Sequence, residues 1–152
     1  MNVYLIKAQG GFIPADIPTE EWAKKIKYGE VVNADFKKVR NYRFLKKYFA
    51  LLNVGFENWN PQALDTKHGV PEKNFEQFRE DTIILAGYYY VTVRMDGSTR
   101  VRAKSISFAN MEEEEFEKLY SATINVFLKH IYDNTMTREK IDYIVNQVLS
   151  FT

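Results

Sequence analysis

The sequence predicts an α+β fold, and three observations carry that prediction. Strand-like segments occur in neighbouring pairs closed by glycine turns, at Gln9-Gly10-Gly11 and Asp96-Gly97, which is the pattern of β-hairpins. Apolar residues recur at helical spacing over 41–56. The same spacing returns in two long segments near the carboxy end, between 111 and 149. The expectation is a single compact domain with about five strands in hairpins and about five helices. A central basic and aromatic helix would occupy 41–56, and two helices would close the chain.

Taken in order, Asn2–Ala8 reads as a strand, and Gln9-Gly10-Gly11 turns it into a short partner, Phe12-Ile13. Pro14 and Pro18 end the hairpin. Thr19 can then cap a helix over Glu20–Tyr28, with early acids suited to the helix dipole, Trp22 and Ile26 facing inward and Gly29 as its stop. Glu30–Phe36 alternates like a strand. The helix from Asn41 to Phe56 follows, apolar on two adjoining flanks: Phe44, Tyr48, Leu51 and Leu52 on one, Leu45, Phe49, Leu52 and Phe56 on the other.

Asn60–Pro71 has two prolines, a glycine and no apolar period, so it is a loop. Glu72–Ala86 reads as a helix with Phe75, Phe78, Thr82 and Leu85 on one side, ended by Gly87. The hairpin Tyr88–Lys104 then poses a question of register. A two-residue Asp-Gly turn would set Val93 opposite Arg100 and mix its faces, whereas a three-residue loop, Met95-Asp96-Gly97, pairs Arg94 with Ser98 and Val91 with Val101. The second register gives one face of Tyr89, Val91, Val93, Val101 and Ala103. The other face is Tyr88, Tyr90, Thr92, Arg94, Arg100, Arg102 and Lys104. Asn110 can cap a helix over Met111–Tyr132 with Phe116, Leu119, Tyr120, Thr123, Phe127, Leu128 and Ile131 inside. Thr137 can start the last helix, Arg138–Leu149, which would bury Ile141, Ile144, Val145 and Val148.

Composition removes several functional classes. An apolar content of 45% with 15% aromatics is far from the signature of disorder. No apolar run approaches the roughly 20 residues that span a bilayer, so no membrane association is expected. The chain has no cysteine, which rules out disulfides and thiolate metal sites, and its start, Met-Asn-Val-Tyr, has no basic-then-apolar leader. A cytoplasmic location is the expectation. Net charge is only +1, so any nucleic-acid binding must come from local organisation.

That organisation is visible. Six of the eleven residues from Lys37 to Lys47 are Lys or Arg, with no acid among them. A second basic set is Arg94, Arg100, Arg102 and Lys104, while Glu112–Glu115 and Glu117 form an acidic block. Lys37, Lys38, Arg40, Arg43, Lys46 and Lys47 gather at a helix start, where free N–H groups also attract phosphate. The competing reading is a solvated face paired with the chain's own acids.

Tyr88 and Tyr90 interleaved with Arg94, Arg100, Arg102 and Lys104 are the materials of a single-strand surface, on which rings stack with bases and cations follow phosphates. The competing reading packs the tyrosines under helices and leaves the cations to blunt an edge strand. The acidic run suits the first turn of a helix. No catalytic or metal constellation stands out: His68 and His130 have no ligand spacing, and Glu80, Asp81 and Asp96 lack a companion lysine motif for a magnesium nuclease site. No cofactor is implied.

The stretch Arg40–Trp59, the Ala86-Gly87-Tyr88-Tyr89 entry to the hairpin and Lys104–Tyr120 together resemble an uncharacterised family of small phage and prophage proteins, known as a domain of unknown function. The resemblance covers nearly the whole chain, although 60–72 is shorter than in that family. It implies a bacterial host cell and assigns no site. A weaker likeness is to the phage NinB (Orf-type) recombination proteins. It lies in the order of elements and in Arg40, Asn41, Arg43, Ala50–Leu52 and Ser107–Leu119. That likeness implies a homodimer that binds single-stranded DNA and assists recombinase loading. The resulting expectation is a non-enzymatic accessory protein of phage DNA recombination or replication that binds single-stranded or branched DNA, with Arg40, Arg43, Lys46 and Lys47 on phosphates, Lys37, Lys38, Arg100, Arg102 and Lys104 extending the track, and Tyr88 or Tyr90 stacking on bases. The alternative is a module that engages or inhibits a host defence or replication protein.

Overall fold

The structure is a computed structural model and describes residues 2–37, 41–62, 65–106 and 111–150. The chain forms two units, Met1–Lys37 and Lys38–Thr152. In the first, β1 (Leu5–Ala8) pairs antiparallel with β2 (Gly11–Pro14), with Leu5 opposite Pro14 and Ala8 opposite Gly11. Gly10, in the two-residue turn between them, takes a left-handed φ of 88°. Helix α1 runs from Ile17 to Lys24 and is capped by Asp16, whose carboxylate accepts from the Thr19 N–H at 2.9 Å.

Two expectations about this unit are corrected. Thr19 is not the cap. Pro18 stands within the first helical turn, where its missing N–H is no loss, so it opens the helix that it was expected to precede. Thr19 is buried instead, and its hydroxyl accepts from the Tyr4 N–H at 3.0 Å, tying the hairpin to the helix. The second correction concerns Glu30–Phe36, which forms no strand. Alternation supplies two faces but no ladder partner, and Val31 is almost wholly exposed. Phe36 is held locally by stacking on Phe12 at 5.2 Å. The described residues thus contain five helices and four strands, one strand fewer than expected, in two antiparallel hairpins.

The second unit is built around α2 (Tyr42–Asn58), capped by Asn41. Leu45, Tyr48, Leu51 and Leu52 are buried as the apolar spacing requires, and so are Ala50, Val54 and Gly55. The later turns of the helix are enclosed on more sides than two stripes would suggest. Helix α4 (Glu113–His130) lies alongside α2 and runs the same way: Phe44 meets Phe116 edge to face at 5.0 Å, the Tyr48 hydroxyl meets Thr123 Oγ1 at 3.3 Å, and Gly55 meets the Phe127 ring. A Cβ on Gly55 would run into that ring, so the close crossing selects glycine.

Helix α5 (Arg138–Ser150) runs opposite to this pair, and helix α3 (Phe75–Leu85) starts against the end of α2, where Phe75 and Phe78 meet Phe56. Phe78 stacks on Phe127 at 5.8 Å, while Tyr120 of α4 donates to Asp142 of α5, and Arg138 reaches back to Ser121 and Asn125. Helix α3 is capped by Asn74, which accepts from the Gln77 N–H at 2.9 Å. Its inward residues are Phe78, Thr82 and Ile83; Leu85, expected inside, is exposed. Thr137 caps α5 as expected, accepting from the Lys140 N–H, and Ile141 and Val145 are buried. Val148, expected inside, is exposed. Helix α4 starts two residues later than expected, with Glu112 at its cap position, and Asn110, the expected cap, lies outside the described residues.

Between α3 and α4, β3 (Tyr89–Val93) pairs antiparallel with β4 (Thr99–Ala103). Val91 is opposite Val101. Arg94 N–H donates to the Ser98 carbonyl at 2.7 Å, and Gly97 has the left-handed φ of 84° that the three-residue loop needs. This is the register that sorts the two faces.

Candidate nucleic-acid interface

The first basic patch begins where α2 begins. No acid stands in the first turn of this helix, so its cations oppose the helix dipole and need another source of negative charge. Lys47 finds one inside the chain: its ammonium lies 3.1 Å from Asp142 and 5.3 Å from the centre of the Tyr120 ring. Burial pushes the Asp142 carboxyl up, but the bonds from Lys47 and Tyr120 outweigh it and hold the group below the usual carboxylate range. Burial first, then the hydrogen bond and charge of Asp142, push the Tyr120 phenol well above its ordinary value. Lys47 is therefore part of the joint between α2, α4 and α5.

Lys46 is half-buried over the ring of Tyr42 at 5.8 Å. Arg43 points into solvent, and no carboxylate pairs with it among the described residues. Lys37 is exposed at the end of the first unit, while Lys38 and Arg40 lie outside the described residues.

The second patch is the β3–β4 ribbon. Every residue of β3 is exposed, and Tyr90 keeps 50% of its surface. Ladder partners share a face, so Tyr90 stands opposite Arg102 and Thr92 opposite Arg100, with Arg94 beyond. Arg102 is held by Glu80 of α3 at 2.7 Å. Arg94, Arg100 and Lys104 are exposed, and none of them is in an ion pair with a described carboxylate. Tyr88 is half-buried at the root of the ribbon. Asp96, at the tip, accepts from the N–H and hydroxyl of Ser98, and these bonds lower its pKa. Its charge serves the turn.

The two patches lie on different elements, one at the start of α2 and the other on the β3–β4 ribbon. Phe116 of α4 faces the start of α2, whereas Lys118, about 200° further round that helix, stands close enough to Tyr88 for the phenol to add to the pKa increase that Glu114 causes first. The basic residues thus divide into a ribbon set (Tyr88, Tyr90, Arg94, Arg100, Arg102, Lys104) and a helix set (Arg43, Lys46, Lys47).

The structure adds two features that the sequence reading missed. Glu80 and Asp142 are the acids that engage Arg102 and Lys47. Both are far from their partners in sequence, so no local spacing announces them. The other feature is the apolar face of the ribbon, which is open: Val91 retains 59% of its surface and Val93 73%. Alternation identifies that face without saying whether anything covers it. Asp81 accepts from Gln77 at 2.9 Å, His68 and His130 are exposed, and among the described residues no three His, Cys, Asp or Glu side chains gather as metal ligands.

No helix among the described residues is long and apolar enough to cross a membrane. No curated protein and no solved structure matches the chain. The sequence model of one family, described as "Protein of unknown function (DUF1367)", matches residues 1–68 and 64–151. Those two segments take in nearly the whole length, and the chain belongs to that uncharacterised family.

Proposed function

We propose that the chain is a non-enzymatic accessory protein of phage DNA recombination or replication, acting in the bacterial cytoplasm, and that it binds single-stranded or branched DNA through the β3–β4 ribbon. The observation that carries this reading is the ribbon's Tyr/Arg face: Tyr90 is half exposed beside Arg94 and Arg100, two cations with no described carboxylate partner. A two-stranded ribbon alone is marginal in water, so ten residues anchored on α3 through β4, with β3 exposed throughout, suit a recognition element. Guanidinium groups would follow phosphates, and Tyr90 would stack on a base, a contact that contributes about 1–3 kcal/mol. Arg43 and Lys46 at the start of α2 offer a second patch for the same phosphates. Lys47, tied to Asp142, holds helices together.

Fluorescence anisotropy with single-stranded and duplex oligonucleotides tests the reading. The expected result is salt-sensitive binding to the single strand that Arg94→Ala/Arg100→Ala weakens about tenfold or more and Tyr90→Ala weakens at every salt concentration. Binding that ignores salt, or none at all, would sink the reading. The exposed Val91 and Val93 favour one alternative, a module that engages or inhibits a host defence or replication protein. A nuclease-resistant host complex lost in Val93→Lys would support it.

A further inference from the structure

The β3–β4 sheet has two strands and therefore two edges. Helix α3 lies against β4, and Arg102 reaches from β4 to Glu80, so β3 is the edge away from α3. The register determines what that edge offers. Arg94 is hydrogen-bonded to Ser98 and Tyr88 to Lys104, at 2.7 and 3.0 Å. Because an antiparallel ladder alternates, Tyr90 and Thr92 turn their backbone groups toward β4 while Tyr89, Val91 and Val93 turn theirs away. No backbone hydrogen bond from elsewhere in the described residues reaches these three. Their side chains are also the exposed apolar ones, so edge and face together form a surface suited to an added strand.

We propose that β3 pairs antiparallel with β3 of a second copy of the chain, about a two-fold axis at Val91, and joins two ribbons into one four-stranded sheet. The spacing Tyr89, Val91, Val93 is symmetric about Val91, so Val91 meets its own copy and Tyr89 meets Val93 on both sides of the axis. All three positions then exchange backbone hydrogen bonds, and an aromatic residue beside a β-branched one is a favourable cross-strand pair. On the opposite face Tyr90 meets Thr92 and Tyr88 meets Arg94, so no like charges are opposed.

The β4 edge fails the same test. A two-fold axis at Val101 would set Arg100 against Arg102, a destabilising like-charge pair. Strands of five residues bury less than the roughly 1,200 Å² of a standard interface, so the dimer is weak and concentration-dependent. Pairing would also double the Tyr/Arg face into one platform. That consequence rests on the proposed DNA binding; the pairing itself does not.

Sedimentation equilibrium of the full chain without nucleic acid tests the pairing. Val91→Pro removes an N–H that faces outward and leaves the β3–β4 ladder its bonds, while Val91→Lys puts a charge on the edge without changing the backbone. Far-UV circular dichroism checks that each variant folds. The wild type should dimerise with rising concentration, and both variants should raise the dimer Kd about tenfold or more. The chain has no cysteine, so Val91→Cys gives a clean cross-linking probe. Opposed residues of a hydrogen-bonded antiparallel pair have Cα atoms about 5.5 Å apart, within disulfide reach. Val91→Cys should form a covalent dimer under mild oxidation and Val101→Cys should not.

A monomer at every concentration with no cross-link at position 91, or a dimer indifferent to Val91→Pro and Val91→Lys, would overturn the proposal. Oligonucleotide binding measured separately on the same variants keeps the two claims apart. An intact dimer that binds no DNA would count against the functional reading alone.

Discussion

Arg43 and Lys47 stand one helical turn apart on α2, and their neighbours give them different work. Lys47 is joined to Asp142 and Tyr120, so its charge is spent inside the chain, while Arg43 faces solvent. The sequence places both in one basic run and cannot separate them, because Asp142 arrives from the last helix. The pair gives a pH prediction. A carboxyl held below its ordinary value contributes stability that is present above the unfolded pKa, near 3.8, and is lost as pH falls through the lower folded value. Asp142→Asn should therefore cost about 1 kcal/mol at pH 7, kept small by partial exposure, with the difference closing in acid; thermal melts at pH 7 and pH 3 would measure it.

Tyr48 acts at the other end of the scale. Burial, only partly offset by its bond to Thr123, pushes its phenol up to about 12. The stability this represents is complete below the ordinary value of 10.0 and is lost as pH rises through about 12. Tyr48→Phe should flatten the alkaline limb of the stability profile. Gly55→Ala would bring a Cβ against the Phe127 ring, and overpacking of about 1–3 kcal/mol should outweigh alanine's helical advantage of about 1 kcal/mol; urea melts would read the loss.

Among the elements, the β3–β4 ribbon was legible because each residue had one consistent place. Gly97 in the left-handed position, Arg94 opposite Ser98 and Val91 opposite Val101 all follow from sorting polar from apolar side chains. Glu30–Phe36 was misleading because alternation cannot summon a strand to pair with. The start of α1 was misplaced because proline can open a helix as well as end one, and Asp16 rather than Thr19 holds the cap. The caps allow a direct comparison. Asn74 accepts at 2.9 Å and Asn41 at 3.3 Å, so Asn74→Ala should destabilise by about 1 kcal/mol and Asn41→Ala by less, as chemical denaturation would show.

At the scale of the whole molecule, the α+β class, the central helix and the closing pair of helices could be read from periodicity, because burial imposes it. The surface could not be read so far. Which cations are neutralised at Glu80 and Asp142, and which apolar face stays open, depend on contacts between segments distant in the chain. The sequence reading treated the basic residues as one track. In the fold, the second unit carries two patches on different elements, and the ribbon bears exposed Tyr90 beside Arg94 and Arg100, which pair with no described carboxylate.

The most direct test of that assignment is the salt dependence of single-strand binding, followed by fluorescence anisotropy for wild type, Arg94→Ala/Arg100→Ala and Asp142→Asn. Each lost phosphate contact should lower the log–log salt slope by about 0.7, so the ribbon variant should lose about 1.4 while Asp142→Asn keeps the wild-type slope. An unchanged slope in the ribbon variant, or no binding by the wild-type protein at low salt, would contradict the account.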